Sequence, residues 1–139
     1  MNEHLVNFLQ QQRQAHRAMN KSELSLEQRR AQFDQAWQQA SYPAGVEFSA
    51  ETIAGVNCEW IRCAATDNTQ PILVICHGGG YHVGSCLTHR PLAAQLAHYC
   101  KTQVLTIDYR LAPEHKFPAA HQDVKSVVHE LLNSNHSAV

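Results

Sequence analysis

Ile72-Leu73-Val74-Ile75-Cys76-His77-Gly78-Gly79-Gly80-Tyr81 decides the fold. Five apolar residues, the clearest such run in the chain, read as a strand covered on both faces, which is parallel-sheet character. The strand empties into three glycines, whose amides no side chain screens from a ligand, so the loop is suited to holding negative charge. Such triplets also occur as plain flexible turns, and the flanking sequence must decide. No GxxxxGK[ST] or GxGxxG pattern is present, which weakens a phosphate-loop reading.

Upstream, residues 1–41 contain no Gly or Pro and read as helical. Ser25 with Gln28 fits a capping box, and Leu26, Arg30, Phe33, Trp37 and Ala40 follow at three- to four-residue spacing, so the helix is expected to cover an apolar surface. Pro43 and Gly45 end it. Val46 to Glu51 alternates at the strand period, Gly55-Val56-Asn57 turns the chain, and a second strand near 58–64 completes a hairpin. Downstream, Pro91 opens a helix bearing Leu92, Leu96 and Tyr99, and Val104 to Ile107 is another buried strand, so a right-handed crossover links the two strands. Pro118 opens a last helix with Val124, Val127, Val128, Leu131 and Leu132 on one stripe, and the final seven residues are expected to fray. A hairpin followed by alternating strands and helices is an α/β pattern.

At 139 residues, 44% of them hydrophobic, the chain has material for one core. A formal net charge of −1 gives no reason to expect nucleic acid or an anionic membrane as partner, and no apolar run reaches signal-peptide or membrane-spanning length. Five cysteines, without a CxxC pair, argue against a disulfide framework or zinc knuckle and fit a reducing cytoplasm. Ten histidines include the pairs His77/His82 and His115/His121, but none forms HExxH or sits at ligand spacing to a cysteine, so no metal is expected. Cys76 reads as a small core residue, and Cys86 has no environment that would lower its pKa.

The strings His77-Gly78-Gly79-Gly80, Asp108-Tyr109-Arg110-Leu111-Ala112-Pro113-Glu114 and Phe117-Pro118-Ala119-Ala120 together resemble the hormone-sensitive-lipase-like branch of the α/β-hydrolases. The resemblance implies the N-terminal half of that fold: N-terminal cap helices over residues 1–41, serving as a lid on the acyl pocket, then the first part of the core domain over 42–139, with the sheet incomplete. It implies oxyanion-hole donors at Gly79 and Gly80, with Gly78 giving the loop its φ freedom and His77 supporting it. Tyr81 would line the substrate pocket. Tyr109, Arg110 and Glu114 would brace the region beneath the loop, with a buried arginine held by a carboxylate. No metal or organic cofactor is implied.

A serine hydrolase of this kind needs GxSxG, followed by an acid and a base. None of the serines, at 22, 25, 41, 49, 85, 126, 134 and 137, has glycine at both i−2 and i+2; Ser85 has Val83 and Leu87 there. The nucleophile and triad are therefore expected beyond residue 139, which disqualifies Asp108 and Asp123 as triad acids. The expected activity is a carboxylesterase acting on short acyl esters, inactive in this portion alone. A complementary C-terminal half, or self-association, would cover the exposed edge of strand 73–76. The alternatives are a non-catalytic small-molecule-binding relative and a degenerate remnant of the fold.

Overall fold

The computed structural model describes residues 10, 14, 24–35, 37, 38, 40–67 and 69–133. Nearly all of the expected helical segment over 1–23 lies outside them, as do six of the final seven residues expected to fray; the first of the seven, Asn133, is helical. The first element, α1 (Leu26–Gln35), opens on the capping box read from sequence: Ser25 N–H donates to Gln28 Oε1 at 2.9 Å and Gln28 N–H donates to Ser25 Oγ at 3.2 Å. Its stripe is not core, because no residue of α1 is buried and Trp37, past the helix end, is 40% exposed. Polar contacts from Arg30 and Asp34 attach α1 to the rest of the molecule.

Strands β1 (Val46–Ile53) and β2 (Val56–Cys63) form the hairpin, paired from Val46↔Cys63 to Ile53↔Val56. The turn is Ala54-Gly55, with φ of +51° and +80°, a two-residue connection of the hand that matches strand twist. It therefore falls one residue earlier than the sequence indicated, and Val56 and Asn57 belong to β2.

Next come β3 (Leu73–Cys76), α2 (Cys86–Cys100), β4 (Val104–Ile107) and α3 (Ala119–Asn133). The sheet order is β1-β2-β4-β3, with β3 parallel to β4 and the remaining pairs antiparallel. β4 is central and completely covered. β3 is the edge strand, as expected of an incomplete sheet, and its apolar run is therefore not buried on both faces: Leu73 is 37% and Val74 38% exposed, with β4 its one neighbour among the described residues. Pro91 does not open α2. The helix starts five residues earlier at the Ser85 cap, where Thr88 N–H donates to Ser85 Oγ and Ser85 N–H to Thr88 Oγ1, and Pro91 lies inside it. A threonine in the reciprocal position, in place of the usual Glu or Gln, hid this box from the sequence pattern.

The two helices cover opposite faces of the sheet. Ala93, Ala94 and Ala97 of α2 pack on Ile61 and Val104, and Val127 and Leu131 of α3 pack on Cys58, Trp60, Leu105 and Ile107. Strand alternation puts successive β4 residues into separate cores. Three of the five residues of the expected α3 stripe are used: Val124, Val127 and Leu131 face inward, whereas Val128 is 36% and Leu132 73% exposed. No helix among the described residues is long and apolar enough to cross a membrane.

Candidate functional site

The glycine loop leaves β3 at the sheet edge and returns at the start of α2, so a rigid strand and a capped helix fix both its ends. Gly78 does not supply the φ freedom expected of it. The left-handed residues are Gly79 (φ +130°), Gly80 (+61°), Tyr81 (+63°) and Gly84 (+96°). At Gly79 a Cβ would lie 1.9 Å from the Val83 carbonyl oxygen, so glycine is required there by space as well as by φ. At Gly80 the same atom would meet nothing within 4 Å. Gly84, which the sequence reading passed over, is equally constrained: a Cβ would stand 2.3 Å from the Gly78 oxygen and 2.6 Å from His77 Nδ1. Its placement just before the Ser85 cap was the available signal.

The loop's hydrogen bonds account for its shape. The Gly79 carbonyl accepts from His82 and Val83 N–H at 3.1 and 3.2 Å, and the Tyr81 carbonyl accepts from Ala112 N–H at 2.7 Å, which holds Tyr81 in its left-handed conformation. Gly78 N–H donates to His89 Nε2 at 3.2 Å. The amides of Gly79 and Gly80 have no acceptor among the described residues. Both glycines border a cavity of about 570 Å³ whose wall also includes Tyr81, His121, Val124 and Lys125. Amides without an internal acceptor beside a cavity are available to an occupant.

His77 is buried and stacks on Tyr109, the rings 4.2 Å apart and 9° from parallel, while the Tyr109 hydroxyl donates to the His77 carbonyl at 2.5 Å. Burial pushes the Tyr109 phenol up to about 12, so it stays protonated and a donor. His77 Nε2 has no hydrogen-bond partner among the described residues and stands 3.9 Å from Asp108 Oδ1, whose carboxylate accepts from Cys86 N–H at 3.2 Å. The ring of Tyr81, half exposed, lies 5.7 Å from that of His121.

Tyr109, Arg110 and Glu114 all lie near the loop, but not as one unit. Arg110 is not buried; its side chain is 46% exposed, and the buried partner is Asp123, which accepts from Arg110 Nη2 at 2.7 Å and from Arg110 N–H at 2.9 Å. Burial raises the Asp123 pKa, but the Arg110 bonds outweigh it and the net direction is down. Asp123 is thus spent on Arg110. Glu114 pairs instead with Arg30 of α1, both carboxylate oxygens accepting at 2.8 Å, and this lowers its pKa to about 2. Arg30 also donates to the carbonyls of His82 at 2.7 Å and Ala112 at 2.9 Å, tying α1 to both sides of the loop. In the sequence Arg30 is only a member of a stripe, since partners 52 to 84 residues away leave no local signal. Cys86 and Cys58 are pushed by burial up to about 12 and about 11, which keeps both as unreactive thiols at neutral pH.

The alpha/beta hydrolase fold family matches residues 73–139, from β3 through α3. An esterase of Acinetobacter venetianus is 44% identical over 80 residues, 58% of this chain and 26% of that protein. An acetyl-hydrolase of Streptomyces hygroscopicus is 36% identical over 108 residues, 77% of this chain and 35% of that one. The crystal structure of a hormone-sensitive lipase from a metagenome library superposes with a TM-score of 0.76 at 34% identity, over 84% of this chain and 39% of its own. The chain spans well under half the length of each.

Proposed function

We propose that this chain, which belongs to the hormone-sensitive-lipase-like branch of the α/β-hydrolase fold family, supplies the oxyanion-binding part of a carboxylesterase that cleaves short acyl esters. The observation that carries the reading is the pair of adjacent glycine amides at 79 and 80, both without an acceptor among the described residues and both on the wall of the cavity. Attack on an ester carbonyl turns its oxygen into an oxyanion, and each preorganised N–H donor there contributes about 3 to 4 kcal/mol to the transition state. Gly79 and Gly80 are the donors. The Tyr109 bond and stack hold His77 and so the loop's first residue, Tyr81 lines the pocket, and the Arg30–Glu114 pair holds the loop's far side.

The nucleophile, acid and base, and the further amide that follows the serine, come in this reading from residues outside these 139, none of which forms GxSxG. Residues 1–139 alone are then inactive, and the open edge of β3 receives the complementary part of the sheet. The cysteines, all unpaired, fit a reducing compartment such as the cytoplasm.

The test joins these residues to a downstream segment bearing GxSxG and a later His, and measures hydrolysis of p-nitrophenyl acetate. Turnover that Gly79→Ala lowers by about 10² to 10³ supports the reading. A serine that reacts with a fluorophosphonate while no acetyl, butyryl or hexanoyl ester is hydrolysed overturns it in favour of a binding relative.

A further inference from the structure

His89, on the second turn of α2, belongs to no part of the site as so far assigned. Its ring makes two contacts, one of them of fixed polarity. Gly78 N–H can only donate, so His89 Nε2, at 3.2 Å, must be a bare acceptor and the ring proton must sit on Nδ1. That proton points to Thr88 Oγ1 at 3.0 Å. The hydroxyl already accepts from Ser85 N–H at 3.0 Å and donates to the Ser85 carbonyl at 2.8 Å, so its remaining lone pair takes the Nδ1–H. Every donor in the chain from Ser85 through Thr88 and His89 to Gly78 meets an acceptor under this one assignment, and the other tautomer sets N–H against N–H at Gly78.

We infer that His89 is a positioning residue of the glycine loop: its neutral ring, protonated on Nδ1, holds the Gly78 amide against the capped start of α2 and thereby fixes the direction in which the amides of Gly79 and Gly80 leave the loop. The inference rests on the proposed function only for what those two amides do, not for the His89 contact itself. Without the contact, Gly78 has no Cβ to restrain it, since a Cβ there would find only His89 Nε2, at 3.9 Å. The contact is also acid-sensitive by construction, because a proton on Nε2 replaces the acceptor with a donor. Burial, and after it the charge of His77, whose ring centre is 5.9 Å away, set the His89 pKa below its ordinary value. The ionisable groups around it are His77 on the loop, Asp108 behind His77 after β4, and Asp34 of α1, bonded to Ser85 Oγ at 2.7 Å. Because the neutral form is the native one, the contact is complete above about pH 6.5 and is lost as the pH falls through the lowered folded value.

The experiment is ¹⁵N NMR of the protein labelled at histidine and glycine, titrated from pH 8 to pH 5. Expected are an Nδ1–H tautomer for His89, a Gly78 amide resonance that titrates with the His89 ring, and Gly78 amide exchange about tenfold faster in His89→Leu than in wild type at pH 8. In His89→Gln, whose side-chain oxygen can accept the same amide, exchange stays close to wild type. An Nε2–H tautomer for His89 in the wild-type protein overturns the inference without any variant. So does Gly78 exchange that is unchanged in a folded His89→Leu. Neither readout uses ester hydrolysis, so a failed esterase assay leaves this result standing, and the reverse holds too.

Discussion

Leu73-Val74-Ile75-Cys76 and Val104-Leu105-Thr106-Ile107 are parallel neighbours, in register residue for residue, and nearly equal in apolar character. Their fates differ. Val104, Leu105 and Ile107 are 0% and Thr106 is 1% exposed, whereas Leu73 and Val74 are 37% and 38% exposed. β4 has a strand on each side and a helix over each face; β3 has a strand on one side only. Burial is thus a property of the place in the sheet rather than of the four residues. Function divides the same way: the loop whose amides are open grows from the exposed strand, and Asp108, Tyr109 and Arg110, which hold that loop and the start of α3, grow from the buried one.

The contrast is most exposed to test at the facing pair Val74↔Leu105. Leu105→Ala is expected to cost about 2 to 5 kcal/mol in denaturant unfolding, as deletions in closed cores do. Val74→Ala should cost about 1 kcal/mol or less, in keeping with its partial exposure. Equal losses in the two variants would show that a further element covers the β3 edge. At the loop, Gly79→Ala drives a Cβ into the Val83 carbonyl and, under the proposed esterase reading, is expected to lower kcat of these residues joined to a triad-bearing segment by about 10² to 10³, the cost of one misplaced oxyanion donor. Gly80→Ala, with open space and only a left-handed φ to oppose it, should lose about 1 to 2 kcal/mol of stability. A reversed order in kcat would mean that the clash at 79 relaxes and that Gly80 carries more of the geometry.

Tyr109→Phe removes the donor to the His77 carbonyl but keeps the stacked ring, and about 1 kcal/mol of stability should go with it. A full loss of fold would place Tyr109 among the core residues rather than the braces. The smallest effect concerns the Arg30–Glu114 pair. Its folded-state pKa of about 2 lies below the ordinary 4.5, so its contribution is complete above about pH 4.5 and disappears as the pH falls toward 2. Glu114→Gln should flatten that part of the pH–Tm curve, and salt should shrink the difference, since the pair is partly exposed. A curve unchanged by the substitution would show that α1 is held by the carbonyl contacts of Arg30 alone.

The elements whose causes are local were legible in the chain: the Ser25–Gln28 box, the hairpin, the apolar runs of β3 and β4, and the start of α3 after Pro118. The loop was legible too, because the apolar strand before the three glycines, the helix after them and the string from Asp108 onward set the triplet apart from a plain flexible turn. Reading failed where the cause was distant or disguised. Pro91 looked like a helix start because the Ser85–Thr88 box uses a threonine, and the α1 stripe looked like core although the helix is attached through Arg30 and Asp34.

By itself, then, the sequence determined which segments are strands and helices and where the glycine loop lies, because periodicity, capping and turn chemistry act over a few residues, and its motif strings carried the family resemblance. Only the tertiary structure decided that β4 pairs with β2 as well as with β3 and is covered on both faces, that Arg30 takes Glu114 while Asp123 takes Arg110, and that His89 receives the Gly78 amide. Those outcomes depend on which surfaces and charges the folded chain brings within hydrogen-bond reach, and residues up to 84 positions apart carry no mark of it in their order.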